Sequence, residues 1–257
     1  MGMMDVKKWF PFVDDLDYEH CNKLFCFHHA GGSAASFRNW KTWEQNLAVF
    51  PIELPGKSTR IKEQYITDYL HVMPQIAEAI NRVTNQTRIY FYGHSMGAIL
   101  AFKTACLLEE KYKKKVNLLI VAGRHAPQDH FPDDYQTYMD DSELVKELIR
   151  VGGTPKELLE NKEVLQHILP MVKNDYRLNE SFDYRNELFH GPIVAHCGTN
   201  DPDAPASSMK NWGNVTTNSF NLKEFSGSHF FPYENKQDYY KSLEQNCIQS
   251  SSKICIK

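Results

Sequence analysis

A chain of 257 residues with 29 basic and 32 acidic side chains has a formal charge of −3, so it lacks the basic footprint of a nucleic-acid-binding protein. Its composition, 42% apolar and 24% charged, is that of a soluble chain long enough for one large core, and no apolar run approaches the roughly 20 residues of a membrane span. Six cysteines are scattered without a C-x-x-C pair, which argues against zinc and against a disulfide framework, and for free thiols in a reducing cytoplasm.

The start, MGMMDVKKWF, shows no apolar signal core, and Val6 stands where a myristoylation motif would want Ser or Thr. KLFCFH (23–28) reads as a strand, followed by a Gly/Ser turn and a helical stretch near Phe37–Leu47. AVFPIEL (48–54) reads as a second strand ending in Pro55-Gly56, and a helical pattern covers 68–83. After the polar cluster 84–87 comes a short buried strand, 88–92; from Met96 the apolar residues Ile99, Leu100, Phe102, Ala105 and Leu108 recur at helical spacing. VNLLIVAG (116–123) is again a strand. Such alternation predicts βαβ units and a mostly parallel sheet flanked by helices.

The pattern breaks between about His130 and Leu188, where mainly helical segments form an insertion. Apolar stripes run through Leu144, Val145, Leu148 and Ile149, then through Val164, Leu165, Ile168, Leu169 and Val172. Between them, Thr154 is placed to cap a helix with Pro155 at its first position and Glu157 completing a capping box. The insertion reads either as a lid over an active site or as packing at the sheet edge. PIVAHCG (192–198) and VTTNSFNLKEF (215–225) restore strand character, and an amphipathic helix spans about Tyr233–Ile248.

Ser95 sits at a strand-to-helix junction in GHSMG, the G-x-S-x-G pattern of a nucleophile elbow, where Gly93 and Gly97 lack the Cβ that would collide with neighbouring backbone. A serine hydroxyl is hardly ionised at neutral pH and needs a base. In α/β-hydrolases the chain order is serine, acid, histidine, with acid and histidine on loops after late strands. GTNDPDAP offers Asp201 and Asp203, and SGSHFF offers His229. The catalytic reading is Ser95, Asp201 and His229, with Asp201 orienting the imidazole. A tetrahedral oxyanion needs two preorganised donors: the amide of Met96, and an amide of the Gly-rich turn HHAGGSAASF, for which Ala30 is the candidate. His94 should point away from the hydroxyl, His28 and His29 should diverge, and His196 should be buried in its strand. No metal-ligand spacing stands out, and the chemistry calls for no cofactor. Lys111, Lys113, Lys114 and Lys115 read as a solvated helix end, or as a contact for an acidic partner.

HHAGGSAASF, ELPGKSTR (53–60), GHSMGAILAF, FPDD…LIRVGGTP…LPMV…DY, GTNDP and GSHFF occur here in the order found in type II thioesterases, and the resemblance covers about residues 20–235. It implies an α/β-hydrolase fold with a helical lid at about 130–188, Ser95, Asp201 and His229 as triad, and Ala30 and Met96 as oxyanion donors. It also implies hydrolysis of acyl groups from the phosphopantetheine arm of carrier proteins of nonribosomal peptide or polyketide synthases, by a monomer without cofactor. Three positions depart from the family pattern. Ser58 replaces a common glycine after PGK, GSH stands where GGH is usual, and His29 stands where an apolar residue is more typical. Two other readings remain open: a carboxylesterase or lipase acting on soluble esters, and a non-catalytic binding partner that keeps the hydrolase scaffold.

Overall fold

The apolar runs that read as strands join one sheet in the computed structural model, which describes residues 3–13, 21–40, 47–85, 87–129, 136–234 and 236–252. In chain order the elements are α1 (Met3–Trp9), β1 (Asn22–Phe27), β2 (Leu47–Pro51), α2 (Tyr69–Val83), β3 (Ile89–His94), α3 (Met96–Tyr112) and β4 (Leu118–Ala122). There follow α4 (Asp141–Val151), α5 (Lys156–Leu159), α6 (Lys162–Glu180), β5 (Ile193–Gly198), α7 (Ala206–Met209), β6 (Phe220–Phe225), α8 (Phe231–Glu234) and α9 (Lys236–Ser252). Strand order is β2-β1-β3-β4-β5-β6, and every neighbouring pair is parallel. The alternation of strand and helix patterns had this outcome because strands covered on both faces can be apolar throughout, and β3 and β4 are buried along their whole length.

Successive side chains of each strand serve different cores. Phe25, Phe27, Phe91, Leu119 and Val121 face the layer that holds α2 and α3. Leu24, Cys26, Tyr90, Tyr92, Leu118 and Ile120 face the other way, onto Trp40 and the Tyr239, Leu243 and Cys247 face of α9. A third cluster, Leu144, Leu148, Leu159, Leu169 and Val172, belongs to α4–α6 alone.

Several boundaries differ from the sequence reading. The expected strand 215–225 begins at Phe220: Val215 closes a 3₁₀ turn that buries Trp212, and the Thr216 hydroxyl accepts from Asn218 N–H (3.0 Å), a turn that breaks the extended run. The capping box at Thr154 does not form. Pro155 is extended (ψ 137°) and takes the N-cap position itself, so Glu157 falls one place early, while α6 is capped by Asn161, which accepts from the N–H groups of Glu163 and Val164. Most of the helix expected near Phe37–Leu47 lies outside the described residues (41–46), as do 130–135 at the start of the insertion; just before it the chain makes a 3₁₀ turn, Ala34–Phe37. Lys114 is neither free nor offered to a partner; its ammonium donates to Asn81 O (2.7 Å), Thr84 O and Thr84 Oγ1, tying the end of α3 to the end of α2.

The chain leaves β1 toward β2 on one side and returns across it to β3 on the other. The carboxyl ends of β1 and β3 therefore diverge into two loops on either side of a crevice, the place where open α/β sheets bind ligands.

Candidate active site

Ser95 occupies the turn between β3 and α3 with φ 54° and ψ −122°, a conformation L-residues rarely adopt. The turn is locked by Ser95 N–H donating to Ala122 O (2.8 Å) and by the Ser95 carbonyl accepting from Ala98 N–H (2.9 Å). Both glycines of GHSMG are sterically required. A Cβ on Gly93 would lie 2.2 Å from Gly97 O, and one on Gly97 would lie 2.2 Å from Phe27 O. The hydroxyl is thus presented at the head of α3, and the following amide, Met96 N–H, is a first-turn donor with no carbonyl below it in the helix.

Asp201 and His229 meet because β5 and β6 are neighbours whose exit loops are stitched together: Thr199 N–H donates to Phe225 O (2.8 Å) and Asn200 N–H to Gly227 O (2.9 Å). His229 Nδ1 lies 2.9 Å from Asp201 Oδ2, and both side chains are buried. The other oxygen of Asp201 accepts from Asp203 N–H (3.0 Å) and Ala204 N–H (3.3 Å). Burial alone would raise this carboxyl, but the hydrogen bond and charge of His229, with the two amides, outweigh it and hold the pKa below the ordinary carboxylate value. His94 Nε2–H donates to the His229 carbonyl (2.9 Å), supporting the histidine loop. Burial, and secondarily the charge of His229, push His94 down to about 3, so it stays neutral.

A cavity of about 370 Å³ opens between the two loops of the crevice. Ser95, Met96, Ala30 and His229 line its floor, while Arg150 of α4 and Tyr176 of α6 contribute to its roof. Ser95, Ala30, Met96 and His229 therefore share one cavity, with Asp201 behind the imidazole. The atoms of Asp201, Asp203 and His229 also lie close enough to hold a cation, but His229 engages Asp201 and the guanidinium of Arg150 engages Asp203.

Leu148 and Ile168 do not line the cavity among the described residues; they belong to the small core of α4–α6, with Leu148 8% exposed. Apolar contact comes instead from Val151 and Phe182. The three departures from the family pattern also have physical content. Ser58 has φ 31°, a conformation glycine adopts more readily. Of the GSH pair it is Gly227 that must be glycine (φ 138°), while Ser228 hydrogen-bonds the Glu234 carboxylate and accepts from Phe230 N–H (3.2 Å). His29 packs edge-on against His94, Phe230 and Tyr233, an aromatic cage that suits a planar ring. Residues that motif reasoning passed over are Arg150 and the buried pair Lys57 and Asp175, although all three lie inside stretches singled out for resemblance.

The sequence profile of the thioesterase domain matches residues 22–247. The gramicidin S biosynthesis protein GrsT of Aneurinibacillus migulanus is 34% identical over 248 residues, 95% of this chain and 94% of that protein. The protein named linear gramicidin dehydrogenase LgrE, of Brevibacillus parabrevis, is 37% identical over 234 residues, 88% of each chain. The structure of BorB, a type II thioesterase from the borrelidin biosynthetic cluster, superposes with a TM-score of 0.79 at 27% identity, covering 91% of this chain and 95% of that one. With its parallel six-stranded sheet, elbow serine and near-complete profile match, the chain belongs to the thioesterase family, hydrolases of thioesters built on the α/β-hydrolase fold.

Proposed function

We propose that Ser95 is the nucleophile, His229 its base and Asp201 the carboxylate that orients the imidazole, with the amides of Ala30 and Met96 receiving the oxyanion. The observation that carries this reading is the 2.9 Å contact of His229 Nδ1 with Asp201 Oδ2 at the wall of the cavity that Ser95 also lines. Because Nδ1–H donates to the carboxylate, the other ring nitrogen, Nε2, is the lone-pair base. It takes the Ser95 proton as Oγ attacks the thioester carbonyl. The tetrahedral oxyanion collapses as the C–S bond breaks, and the imidazolium gives its proton to the departing thiolate, which leaves as the thiol. Water, deprotonated by the same nitrogen, then attacks the acyl-serine ester and releases the carboxylic acid and the free hydroxyl. No cofactor enters the sequence of steps.

The substrate in this reading is an acyl group on the phosphopantetheine arm of a carrier protein serving nonribosomal peptide or polyketide synthesis, removed to clear or release the carrier. Relatives associated with gramicidin S and borrelidin biosynthesis support it. The dehydrogenase in the name of LgrE is said of that protein; the reading here rests on the βα turn after β3, GHSMG, with its strained serine. The chain works in this reading as one hydrolase domain, with α4–α6 as its lid, and as a monomer in the cytoplasm. The ion pair from Arg150 to the Asp203 loop supports the lid, and cysteines scattered without a C-x-x-C pair support the reducing compartment.

The test is hydrolysis of acyl groups loaded on carrier protein, compared with nitrophenyl esters of the same acids. Carrier thioesters should be preferred, and Ser95→Ala should abolish turnover while carrier binding persists. A preference for free esters would favour the carboxylesterase reading. Absence of thioester turnover in the wild type would favour the non-catalytic one.

A further inference from the structure

The turn ELPGKSTR has no part in the reaction steps, yet its side chains converge on the Gly-rich loop. Glu53 Oε1 accepts from Ala34 N–H (3.2 Å), and its own backbone carbonyl is held by Arg60 (2.9 Å). Lys57 reaches from the same turn to Asp175 of α6, and the pair is nearly sealed from solvent, with side chains 1% and 4% exposed. The same oxygen of Asp175 accepts from Gly31 N–H at 2.6 Å. Gly31 has φ 82°, and a Cβ there would lie 3.3 Å from Val172 Cγ2, one helical turn before Asp175, so this face of α6 rests directly on the loop.

We propose that Asp175 is a positioning residue for the oxyanion donor: by fixing the Gly31 amide it sets the peptide next to Ala30, and Lys57 holds the carboxylate in place. The inference rests on the assignment of the Ala30 amide to the oxyanion. Because Asp175 is carried by α6, the donor is correctly aimed only when that helix is seated over the cavity. The roof and the oxyanion site are therefore one mechanical unit, and an acyl group that keeps α6 from seating is hydrolysed slowly even when it binds.

Removing one partner alone would strand a buried charge, so the test replaces both. Asp175→Leu with Lys57→Met removes the acceptor; Asp175→Asn with Lys57→Met keeps one. Turnover of S-butyryl pantetheine and inhibition by butylboronic acid, which forms a tetrahedral adduct on serine, are measured for each. The Leu/Met chain should lose about 10- to 100-fold in kcat with KM within about threefold, and its boronate inhibition constant should rise by the same factor. The Asn/Met chain should return to within about threefold of wild type on both readouts. A folded Leu/Met chain that matches wild type in kcat and boronate affinity overturns the proposal. If that chain does not fold, hydrogen exchange at the Gly31 amide of the wild type decides: strong protection supports the proposal, and exchange at the free-peptide rate overturns it. Failure of the underlying assignment looks different: the Leu/Met chain would then free the Gly31 amide to hydrogen exchange while kcat and boronate affinity stayed at wild type. A Gly31 amide still protected in that chain would instead mean that Asp175 does not position the loop.

Discussion

Arg150 holds Asp203 with two guanidinium nitrogens, Nη1 to Oδ1 at 2.6 Å and Nη2 to Oδ2 at 3.1 Å, while Asp201, two residues earlier, turns inward to His229. Two neighbouring carboxylates thus have separate duties, one toward the imidazole and one toward α4.

Asp201→Asn should lower kcat by about 10³- to 10⁴-fold, because an amide cannot hold the imidazole in the tautomer the serine needs. Asp203→Asn should change kcat less than about fivefold and stability by under about 1 kcal/mol, since Arg150 is largely solvated. Kinetics on a pantetheine thioester with both variants checks this, and the opposite ranking would reassign the acid.

Stability should fall as the pH drops below neutrality. His28, His94 and His196 are each lowered to about 3, by burial first and then by the charge of Lys57, His229 and Lys223 respectively. An unfolded histidine titrates near 6.5, so between about 6.5 and 3 the unfolded chain binds protons that the folded chain refuses. The stabilisation is complete above about 6.5 and is lost on descent toward 3, at up to about 1.4 kcal/mol per pH unit for each ring. His196 lies away from the cavity, between Tyr239 and Asn246. Urea unfolding at two pH values should therefore show a drop between neutrality and pH 5.5 that is smaller by about one proton's slope in His196→Gln. Equal drops would count against it.

Gly93→Ala should destabilise the fold by about 3 kcal/mol or more, because the added methyl meets the rigid backbone of α3 at 2.2 Å. Thermal unfolding and soluble yield report it; a wild-type melting temperature would mean that the elbow has more room than the structure shows.

Phe182→Ala should broaden acceptance toward longer acyl chains, since its ring borders the cavity, whereas Leu148→Ala should cost about 2–4 kcal/mol in stability and leave chain-length preference alone. A thioester series of increasing chain length, run beside denaturation curves, separates the two. An altered preference in folded Leu148→Ala would move that residue from core to specificity.

Much of the fold and site was legible along the chain because its cues are local. The strands showed as apolar runs, and the elbow required two glycines around one serine. The residues proposed as acid and base are expected in turns after late strands, and Asp201 and His229 stand just past β5 and β6. What was hidden depends on contacts between distant segments. Nothing in the spacing of Lys57, Gly31 and Asp175 says that a lysine after one strand and a carboxylate on α6 will meet under a loop after another. Thr154 failed as a cap for a related reason: Gly152 and Gly153 both take positive φ, and the chain enters α5 one residue later than the motif implies. The apolar stripes of α4 and α6 gave correct helices but no partner; they face each other, which periodicity alone cannot say.

The separate apolar nucleus of α4–α6 divides the labour of inheritance. Leu144, Leu148, Leu159, Leu169 and Val172 form the core of α4–α6, while different residues hold the sheet that carries Ser95, Asp201 and His229. Drift at Leu144, Leu148, Leu159 and Leu169 reshapes that segment alone, whereas Val172 lies against Gly31, so change there reaches the loop beside Ala30. The same scaffold can thus diversify freely at four of those positions, while the fifth ties what is accepted to how it is cleaved.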